Sequence, residues 1–167
     1  MRTQEYKSTK TSRNQIGRAI SVYRDKVGFR RGSTILDYGG GKYDKAINDA
    51  KTYGCHLYVY DPFNRSEEYN KRSLEAFRRS PDYITCANVL NIIKEDEIVE
   101  SVVANIFRLA KKGTIVAFSI HDGDGSGVGR RTRDGWQRNE NPMAYYPVIS
   151  KYFPNVIWRY GIYIAQR

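Results

Sequence analysis

The sequence predicts an α/β domain with a mostly parallel sheet and helices on both faces. Short apolar segments alternate with amphipathic stretches as far as residue 120, and a glycine turn follows the first apolar segment. Near the end of the chain, apolar segments 155–160 and 162–166 flank Gly161 and predict an antiparallel hairpin. The 167 residues contain no internal repeat or linker, so we expect a single domain spanning 1–167.

The N-terminal part of the chain is strongly basic. Residues 1–12 are expected to be mobile, and Thr11 or Ser12 is predicted to cap a helix over 14–27, whose apolar residues recur at helical spacing. Gly28 follows as a stop signal. The whole chain has a net charge of +10, and residues 1–31 hold a large part of it. The asymmetry favours an anionic partner, nucleic acid first, although a solvated basic helix needs no partner.

Residues 34–61 form the centre of the prediction. An apolar run ends at Asp37, glycines 39–41 follow, and a helical stretch leads to a second apolar run that ends at Asp61. The glycines allow a ligand to approach the backbone closely, and an acid about 20 residues further on is placed to bind a ribose. This arrangement predicts a nucleoside-containing cofactor. The third glycine of the dinucleotide motif is absent, and there is no Walker pattern.

The segment from 121 to 141 is rich in glycine and charged residues and follows the fourth predicted strand. A loop of this length at the carboxyl end of a strand is typical of a functional lid, with a plain surface loop as the open alternative. We therefore expect a lid-like loop. Asn64-Arg65-Ser66 is predicted to start a helix that runs to about Arg79, with Ser66 as its N-terminal capping residue. The other predicted elements are a strand over 83–87, a helix from about Glu95 to about Ala110, a strand over 114–120 and a helix over about 143–153.

Four motifs together resemble the class I S-adenosylmethionine-dependent methyltransferases: KTSR at 10–13, LDYGGG at 36–41, YDPFNR at 60–65 and NVLNII at 88–93. The resemblance is closest to small bacterial and bacteriophage methyltransferase-domain proteins, some of them associated with DNA phosphorothioation loci. It implies a Rossmann-like fold and methyl transfer from S-adenosylmethionine. The chain departs from the family in having room for only one helix between Asp61 and the next strand. We therefore expect a shortened class I methyltransferase fold, with adenine contacted by Phe63 or its neighbours.

The resemblance also implies cofactor-binding roles at the ends of the first three strands. Asp37 is expected to orient the glycine loop or bind the cofactor's amino group through water, and Asp61 to accept both ribose hydroxyls. Ordinary turn chemistry is the alternative for each glycine and acid. The complete set of expected cofactor-binding residues is Asp37, Tyr38, Gly39, Gly40, Gly41, Asp61, Pro62, Phe63, Asn88 and Val89.

The methyl acceptor is less well specified. The NVLN segment lacks the prolines of enzymes that methylate exocyclic base amines, and Cys86 lacks the preceding proline of cytosine C5 enzymes. Both common DNA reactions are therefore disfavoured, while a nucleic-acid or nucleotide-like acceptor stays open. Candidate catalytic residues are Asn88, His121 and Asp122, and candidate substrate-binding residues are Arg130, Arg131, Arg133 and Trp136. For His121 the alternative is a structural hydrogen bond, and for Asp122 it is turn formation.

Two other function classes compete with methyl transfer. One is a protein that binds S-adenosylmethionine or nucleic acid without turnover, and the other is a different use of the same cofactor. Cys55 and Cys86 have neither a CxxC partner nor a histidine at metal spacing, so we expect reduced core thiols, no metal site and a cytoplasmic protein. No apolar run approaches the about 18 residues of a membrane span, and the basic N-terminus is unlike a secretory signal.

Overall fold

The computed structural model describes residues 4–9, 11 and 13–167. Its centre is a six-stranded sheet with the strand order β2-β1-β3-β4-β8-β7, and a separate two-stranded sheet pairs β5 with β6. The strands are Thr34–Tyr38 (β1), His56–Tyr60 (β2), Tyr83–Ala87 (β3), Ile115–Ser119 (β4), Arg130–Thr132 (β5), Gly135–Gln137 (β6), Ile157–Arg159 (β7) and Ile162–Gln166 (β8).

The first four strands pair in parallel, and β8 then runs antiparallel to β4. The predicted hairpin is confirmed: β7 and β8 pair across a turn at Tyr160 and Gly161, whose φ angles of 55° and 73° are those of a tight two-residue hairpin turn. It is not a separate appendage, because β8 lies between β4 and the edge strand β7.

Helices cover both faces of the sheet, as predicted. One apolar cluster joins α1 and α2 to side chains such as Ile35 and Val59, and a larger cluster joins α3, α4 and α5 to Leu36, Ile84 and Phe118. Successive residues of β1 therefore pack on opposite faces of the sheet, as the two-residue period of a strand requires. The helices are Arg18–Lys26 (α1), Lys45–Thr52 (α2), Glu67–Arg79 (α3), Asp96–Leu109 (α4) and Tyr146–Tyr152 (α5), with 3₁₀ turns at Leu90–Ile92 and Pro142–Tyr145.

The connection between β2 and β3 contains α3 alone, and β2 is an edge strand. This is the shortened sheet that the sequence predicted. Ser66 caps α3 as expected, because its side chain accepts a hydrogen bond of 3.2 Å from the Tyr69 amide.

The first helix begins later than predicted. Gly17 is the residue before α1, so neither Thr11 nor residues 14–16 belong to the helix, and Ser12 lies outside the described residues. The reason is tertiary: a Cβ placed on Gly17 would lie 2.7 Å from Ala87 Cβ, so the chain enters the helix pressed against the end of β3. Ile16, just ahead of it, packs into the α1–α2 cluster.

The expected loop over 121–141 contains the β5–β6 hairpin, which the sequence analysis missed. The strands are short and polar, so they show no apolar alternation, and only the Asp134-Gly135 pair signals the turn. Asn139, 1% exposed, fixes the base of the segment. Its side-chain amide donates to the Val128 carbonyl over 2.9 Å, and its own carbonyl accepts from the Gly127 amide over 2.7 Å.

Candidate functional site

A cavity of about 1620 Å³ opens at the carboxyl ends of β1, β2 and β3, beneath the β5–β6 hairpin. Open α/β sheets bind ligands at this end of their strands. His121, Arg133 and Trp136 also line the cavity, whereas Asp122, Arg130 and Arg131 are not among its lining residues. The lining includes every residue expected to contact cofactor: Asp37, Tyr38, Gly39, Gly40, Gly41, Asp61, Pro62, Phe63, Asn88 and Val89.

The glycine loop is pressed directly onto the segment that follows β3. Gly39 has φ of 80°, and its amide donates to the Tyr60 carbonyl over 2.7 Å. A Cβ at Gly39 would lie 2.3 Å from Val89 Cγ2, closer than two carbon atoms can approach. Gly39 is therefore required twice, for its backbone conformation and for the close approach of the β1 and β3 ends.

Asp61 is a buried carboxylate, 5% exposed, that holds two loops together. Its Oδ2 accepts from the Gly41 amide over 2.9 Å, and its Oδ1 accepts from the amides of Phe63 and Asn64, each over 3.0 Å. Asn64 Nδ2 also donates to both carboxylate oxygens, over 3.2 and 3.1 Å. The carboxylate thus links the glycine loop to the turn after β2, and its accepting capacity is filled by protein groups.

Asn70 fixes the backbone on either side of that carboxylate. Its Oδ1 accepts from the Asp61 amide over 2.8 Å, and its Nδ2 donates to the Asp61 carbonyl over 2.9 Å. Asn70 lies on α3 and is itself buried. The side-chain direction of Asp61 is therefore set by a helix and two loops.

Asp37 lies beneath the glycine loop and is 4% exposed. Its Oδ1 accepts from the Thr85 hydroxyl over 2.9 Å, and a Cβ at Gly40 would lie 2.5 Å from its Oδ2. Burial raises the pKa of Asp37 to about 6, and the nearby Asp61 carboxylate adds to the increase, while the Thr85 hydrogen bond opposes it. Asp37 consequently changes charge close to neutral pH.

Asn88 leaves β3 in the left-handed region, with φ of 56°. Asparagine tolerates this conformation better than most residues, and such strain concentrates at functional sites. Its amide donates to the Ser119 carbonyl over 2.9 Å, so the strained residue is fixed to the end of β4 while its side chain is exposed.

The structure brings His121 to the cavity without an ordered proton-transfer pair. The His121 and Asp122 side chains are 62% and 59% exposed, and His121 Nδ1 lies 3.9 Å from Asp122 Oδ1. That distance is longer than a hydrogen bond. Asp124 pairs with Arg130 over 3.3 Å and accepts from the Ser126 amide.

The β5–β6 hairpin covers the cavity, and the N-terminal segment packs against it. Tyr6 stacks on Trp136 with ring centroids 5.3 Å apart, and Lys94 Nζ lies 5.4 Å from the Trp136 ring while pairing with Glu5 over 2.6 Å. Trp136 therefore already has an aromatic partner within the protein. The hairpin arginines are largely exposed, with the Arg130 and Arg133 side chains 65% and 95% exposed.

Sequence analysis assigned no role to Asn64 or Asn91, although both lie in the motifs that carry the family resemblance. Asn64 Nδ2 donates a hydrogen bond to the Asp61 carboxylate, and Asn91 lies in the cavity wall, 1% exposed. The third missed residue is Gln137, which contacts both Asn91 and His121. Asn91 and Gln137 contact residues far away in sequence, so no local pattern distinguishes them from ordinary turn residues, whereas Asn64 lies only three residues after its partner Asp61.

Solved structures share this fold at low sequence identity. Human N-acetylserotonin methyltransferase in complex with S-adenosylmethionine aligns with 80% of this chain at 16% identity and a TM-score of 0.54. This chain covers only 47% of the human protein, about half its length.

Two bacterial structures align over more of their length. The Burkholderia thailandensis 1,6-didemethyltoxoflavin N1-methyltransferase with S-adenosylhomocysteine aligns with 89% of this chain and 76% of its own, at 13% identity and a TM-score of 0.64. A sugar N-methyltransferase from Streptoalloteichus sp. aligns with 96% and 97%, at 9% identity and a TM-score of 0.57.

A comparison with curated proteins gives no match. The family model of a methyltransferase domain matches residues 10–161, which include the glycine loop, Asp61, the NVLN segment and the hairpin. Because this match covers most of the sequence and its expected motifs line one cavity, the chain belongs to the methyltransferase-domain family.

Proposed function

We propose that this protein binds S-adenosylmethionine in the cavity and transfers its methyl group to an acceptor held beneath the β5–β6 hairpin. The observation that carries the proposal is the convergence of Asp61, the Gly39–Gly41 loop and Asn88 on one cavity at the carboxyl ends of three adjacent strands. S-adenosylmethionine supplies an electrophilic methyl group on a sulfonium.

The residues present fit such a cofactor. Asp37 suits the cofactor's amino group because its carboxylate lies under the loop, and the Tyr38–Gly41 backbone suits the methionine moiety. Pro62 and the exposed Phe63 supply apolar surface for adenine. Lys7 Nζ lies 5.6 Å from the Phe63 ring, so the N-terminal segment closes the same side of the cavity.

Ribose binding requires one rearrangement. The Asp61 oxygens accept from three backbone amides and from Asn64 Nδ2, and only the last is a side-chain donor. We infer that the Asn64 side chain leaves Asp61 when ribose hydroxyls arrive. Asn64 Nδ2 also donates to the Ser8 carbonyl over 3.3 Å, so this movement is coupled to the N-terminal segment.

Positioning supplies much of the rate in a methyl transfer, since the nucleophile and the methyl group must lie in line. In this proposal Asn88 and Val89 position the reacting groups. His121 accepts the proton released from the acceptor, and Asp122 acts only through His121. We expect His121→Gln to lower kcat about 10- to 100-fold while leaving the dissociation constant of S-adenosylhomocysteine unchanged.

Isothermal titration with S-adenosylmethionine and S-adenosylhomocysteine tests the proposal. Binding of both, together with methyl transfer to a nucleotide or small-molecule acceptor, is the expected result. Absence of binding by either compound would overturn it. Binding without transfer to DNA, RNA, nucleotides or protein extracts would favour a cofactor-binding protein without turnover.

A nucleic-acid acceptor or partner is the second candidate, and the exposed arginines of the β5–β6 hairpin favour it. Replacing Arg130, Arg131 and Arg133 with alanine is expected to weaken binding of a labelled single-stranded oligonucleotide and to reduce the salt slope by about two to three. Unchanged affinity and salt slope would remove this candidate. The same variant should still bind S-adenosylhomocysteine, and this binding serves as the control for correct folding.

We also propose that the protein works in the reducing cytoplasm. Cys55 and Cys86 are both buried and free, and burial raises the pKa of both thiols, which keeps them protonated. Among residues 4–9, 11 and 13–167, no helix is long and apolar enough to cross a bilayer.

A further inference from the structure

Asn91 is a buried amide in the cavity wall that the proposed cofactor site does not use. It lies in the 3₁₀ turn after β3 and is 1% exposed. Its backbone carbonyl accepts from the Arg138 amide over 2.9 Å, which ties the turn to the end of β6. Asn91 therefore lies where the wall of the sheet meets the hairpin.

The orientation of its side chain follows from a chain of hydrogen bonds. The His121 carbonyl can only accept, so Gln137 must direct Nε2 toward it, over 3.1 Å. Gln137 Oε1 then points to Asn91, and since this oxygen can only accept, Asn91 must present Nδ2, also over 3.1 Å. The His121 carbonyl thus determines the orientation of both the Gln137 and the Asn91 side-chain amides. As a result, Asn91 Oδ1 is directed away from Gln137.

Asn91 Oδ1 is buried and receives no hydrogen bond from any described residue. A buried acceptor without a donor is unfavourable, and native proteins leave few of them. Asn91 lines the cavity, but its Oδ1 has almost no exposed surface, so a bound group satisfies this oxygen once the side chains that cover it move aside. A group that binds to Asn91 Oδ1 must therefore carry an N–H or O–H donor.

We propose that Asn91 Oδ1 accepts a hydrogen bond from the nucleophilic amine of the methyl acceptor, so that this protein is an N-methyltransferase. The inference rests on the proposed function. An amide oxygen is too weak a base to remove a hydroxyl proton, but it can hold an N–H while the nitrogen lone pair faces the methyl group. The lone pair forms the N–C bond as the C–S bond breaks toward sulfur, and the N–H proton then passes to His121.

The surrounding carboxylates favour an amine over a hydroxyl. The Asp61 carboxylate already accepts hydrogen bonds from the glycine loop and from the turn after β2. The Asp37 carboxylate accepts a hydrogen bond from the Thr85 hydroxyl beneath the glycines. His121 is largely exposed and has no partner within hydrogen-bond distance of its Nδ1 among the described residues. A neutral amine attacks before it loses its proton, so it needs no strong base held against it.

The test uses the full chain, ¹⁵N-labelled and loaded with S-adenosylhomocysteine, titrated with aniline and with N,N-dimethylaniline. Aniline is expected to shift the Asn91 side-chain resonances and to bind about tenfold more tightly than the dimethyl compound, which has no N–H. Asn91→Leu should remove this preference. This comparison of two ligands on the unaltered protein does not depend on the variant folding.

Asn105→Leu is the matched control, because Asn105 also lines the cavity but its Oδ1 already accepts from Arg108 over 2.5 Å. It should keep the preference for aniline. Equal binding of the two anilines, a preference that survives Asn91→Leu, or a bound water as the only partner of Asn91 Oδ1 would each overturn the proposal.

The site of transfer is read with 3-aminophenol, which offers an amine and a hydroxyl to the same cavity. Incubation with S-adenosylmethionine followed by mass spectrometry should show N-methylation. An O-methylated product, or no N-methylated product from 3-aminophenol and aniline, would overturn the assignment. Failure of S-adenosylhomocysteine to bind would instead overturn the proposed function, so the two failures are distinguishable.

Discussion

The two walls of the cavity are held in different ways. On the sheet side, Asp61 and the glycine loop are fixed by buried backbone hydrogen bonds at the ends of parallel strands. On the opposite side, the β5–β6 hairpin is held by side chains from distant parts of the chain, including Tyr6, Asn91 and Lys94. The first wall is set by the fold, whereas the second depends on a few side-chain contacts.

This difference separates recognition of the cofactor from recognition of the acceptor. A wall built from strand ends tolerates little change, because moving one residue displaces several backbone bonds. A hairpin held by a ring stack and two amides can change its outer residues without disturbing the sheet. We therefore expect substitutions in the sheet wall to have larger effects than those in the hairpin wall.

Asp61→Ala should have the largest effect. It leaves three backbone amides without their acceptor and removes the expected ribose partner, and each hydrogen bond to a charged group contributes about 1.5–3 kcal/mol. Affinity for S-adenosylhomocysteine, measured by calorimetry, should fall at least about 100-fold. Asp25→Ala, an exposed acid on α1, is the control and should leave affinity unchanged. A fall of less than about threefold would mean that Asp61 serves only the loop.

Gly39→Ala tests the contact between the β1 and β3 ends. The added methyl would enter Val89 at a residue with positive φ, so the free energy of unfolding should fall by about 2–4 kcal/mol. Gly28→Ala is a matched control, since Gly28 has φ of 94° but open space around its Cβ, and should lose only about 1 kcal/mol. Urea denaturation measures both.

The double variant Gly39→Ala with Val89→Ala removes the atom that clashes and should recover part of the loss. Equal destabilisation by the two glycine substitutions would show that backbone conformation alone explains the role of Gly39.

Asp37→Asn should stabilise the ligand-free protein above neutral pH. Because the folded-state pKa is raised to about 6, ionising the buried carboxyl opposes folding above that pH, and the penalty disappears as pH falls toward about 4. The gain at pH 8 should be about 3 kcal/mol or less and close to zero at pH 4, measured by urea denaturation. Affinity for S-adenosylmethionine should fall in the same variant.

Asp25→Asn is the control in which the pKa shift has the opposite sign. Hydrogen bonding from Arg24 lowers the pKa of Asp25, so its ionised form favours folding. This variant should gain no stability at pH 8. A pH-independent difference between Asp37→Asn and the unaltered protein would contradict burial as the cause of the raised pKa.

Trp136→Ala should have the smallest effect, because it alters only the hairpin wall. Loss of the Tyr6 stack should increase hydrogen exchange in residues 4–9 and 130–137 and weaken S-adenosylhomocysteine binding about fivefold. Trp158→Ala, on the edge strand β7 at the far side of the sheet, should change neither. Equal exchange in both variants would show that the N-terminal segment is held without the stack.

The sequence predicted the sheet wall better than the hairpin wall. Strand periodicity, the glycines and the acids at strand ends are local signals, so β1 to β4, the capped helix α3 and the shortened connection after β2 were all predictable. The late start of α1 was not, because it depends on Gly17 meeting Ala87 across the fold. The β5–β6 hairpin was missed because three-residue polar strands show no periodicity.

By itself, then, the sequence determined the α/β architecture, the family resemblance and the expected cofactor-binding residues that line the cavity. These follow from local spacing, since the four parallel strands bring the residues after their carboxyl ends to the same edge of the sheet. Only the tertiary structure decided that Asn64 links the Asp61 carboxylate to the Ser8 carbonyl, and that Asn91 lies in the cavity wall with a buried oxygen that has no partner among the described residues. Both depend on hydrogen bonds between residues remote in sequence, such as His121, Gln137 and Asn91, whose order along the chain carries no sign of their contact.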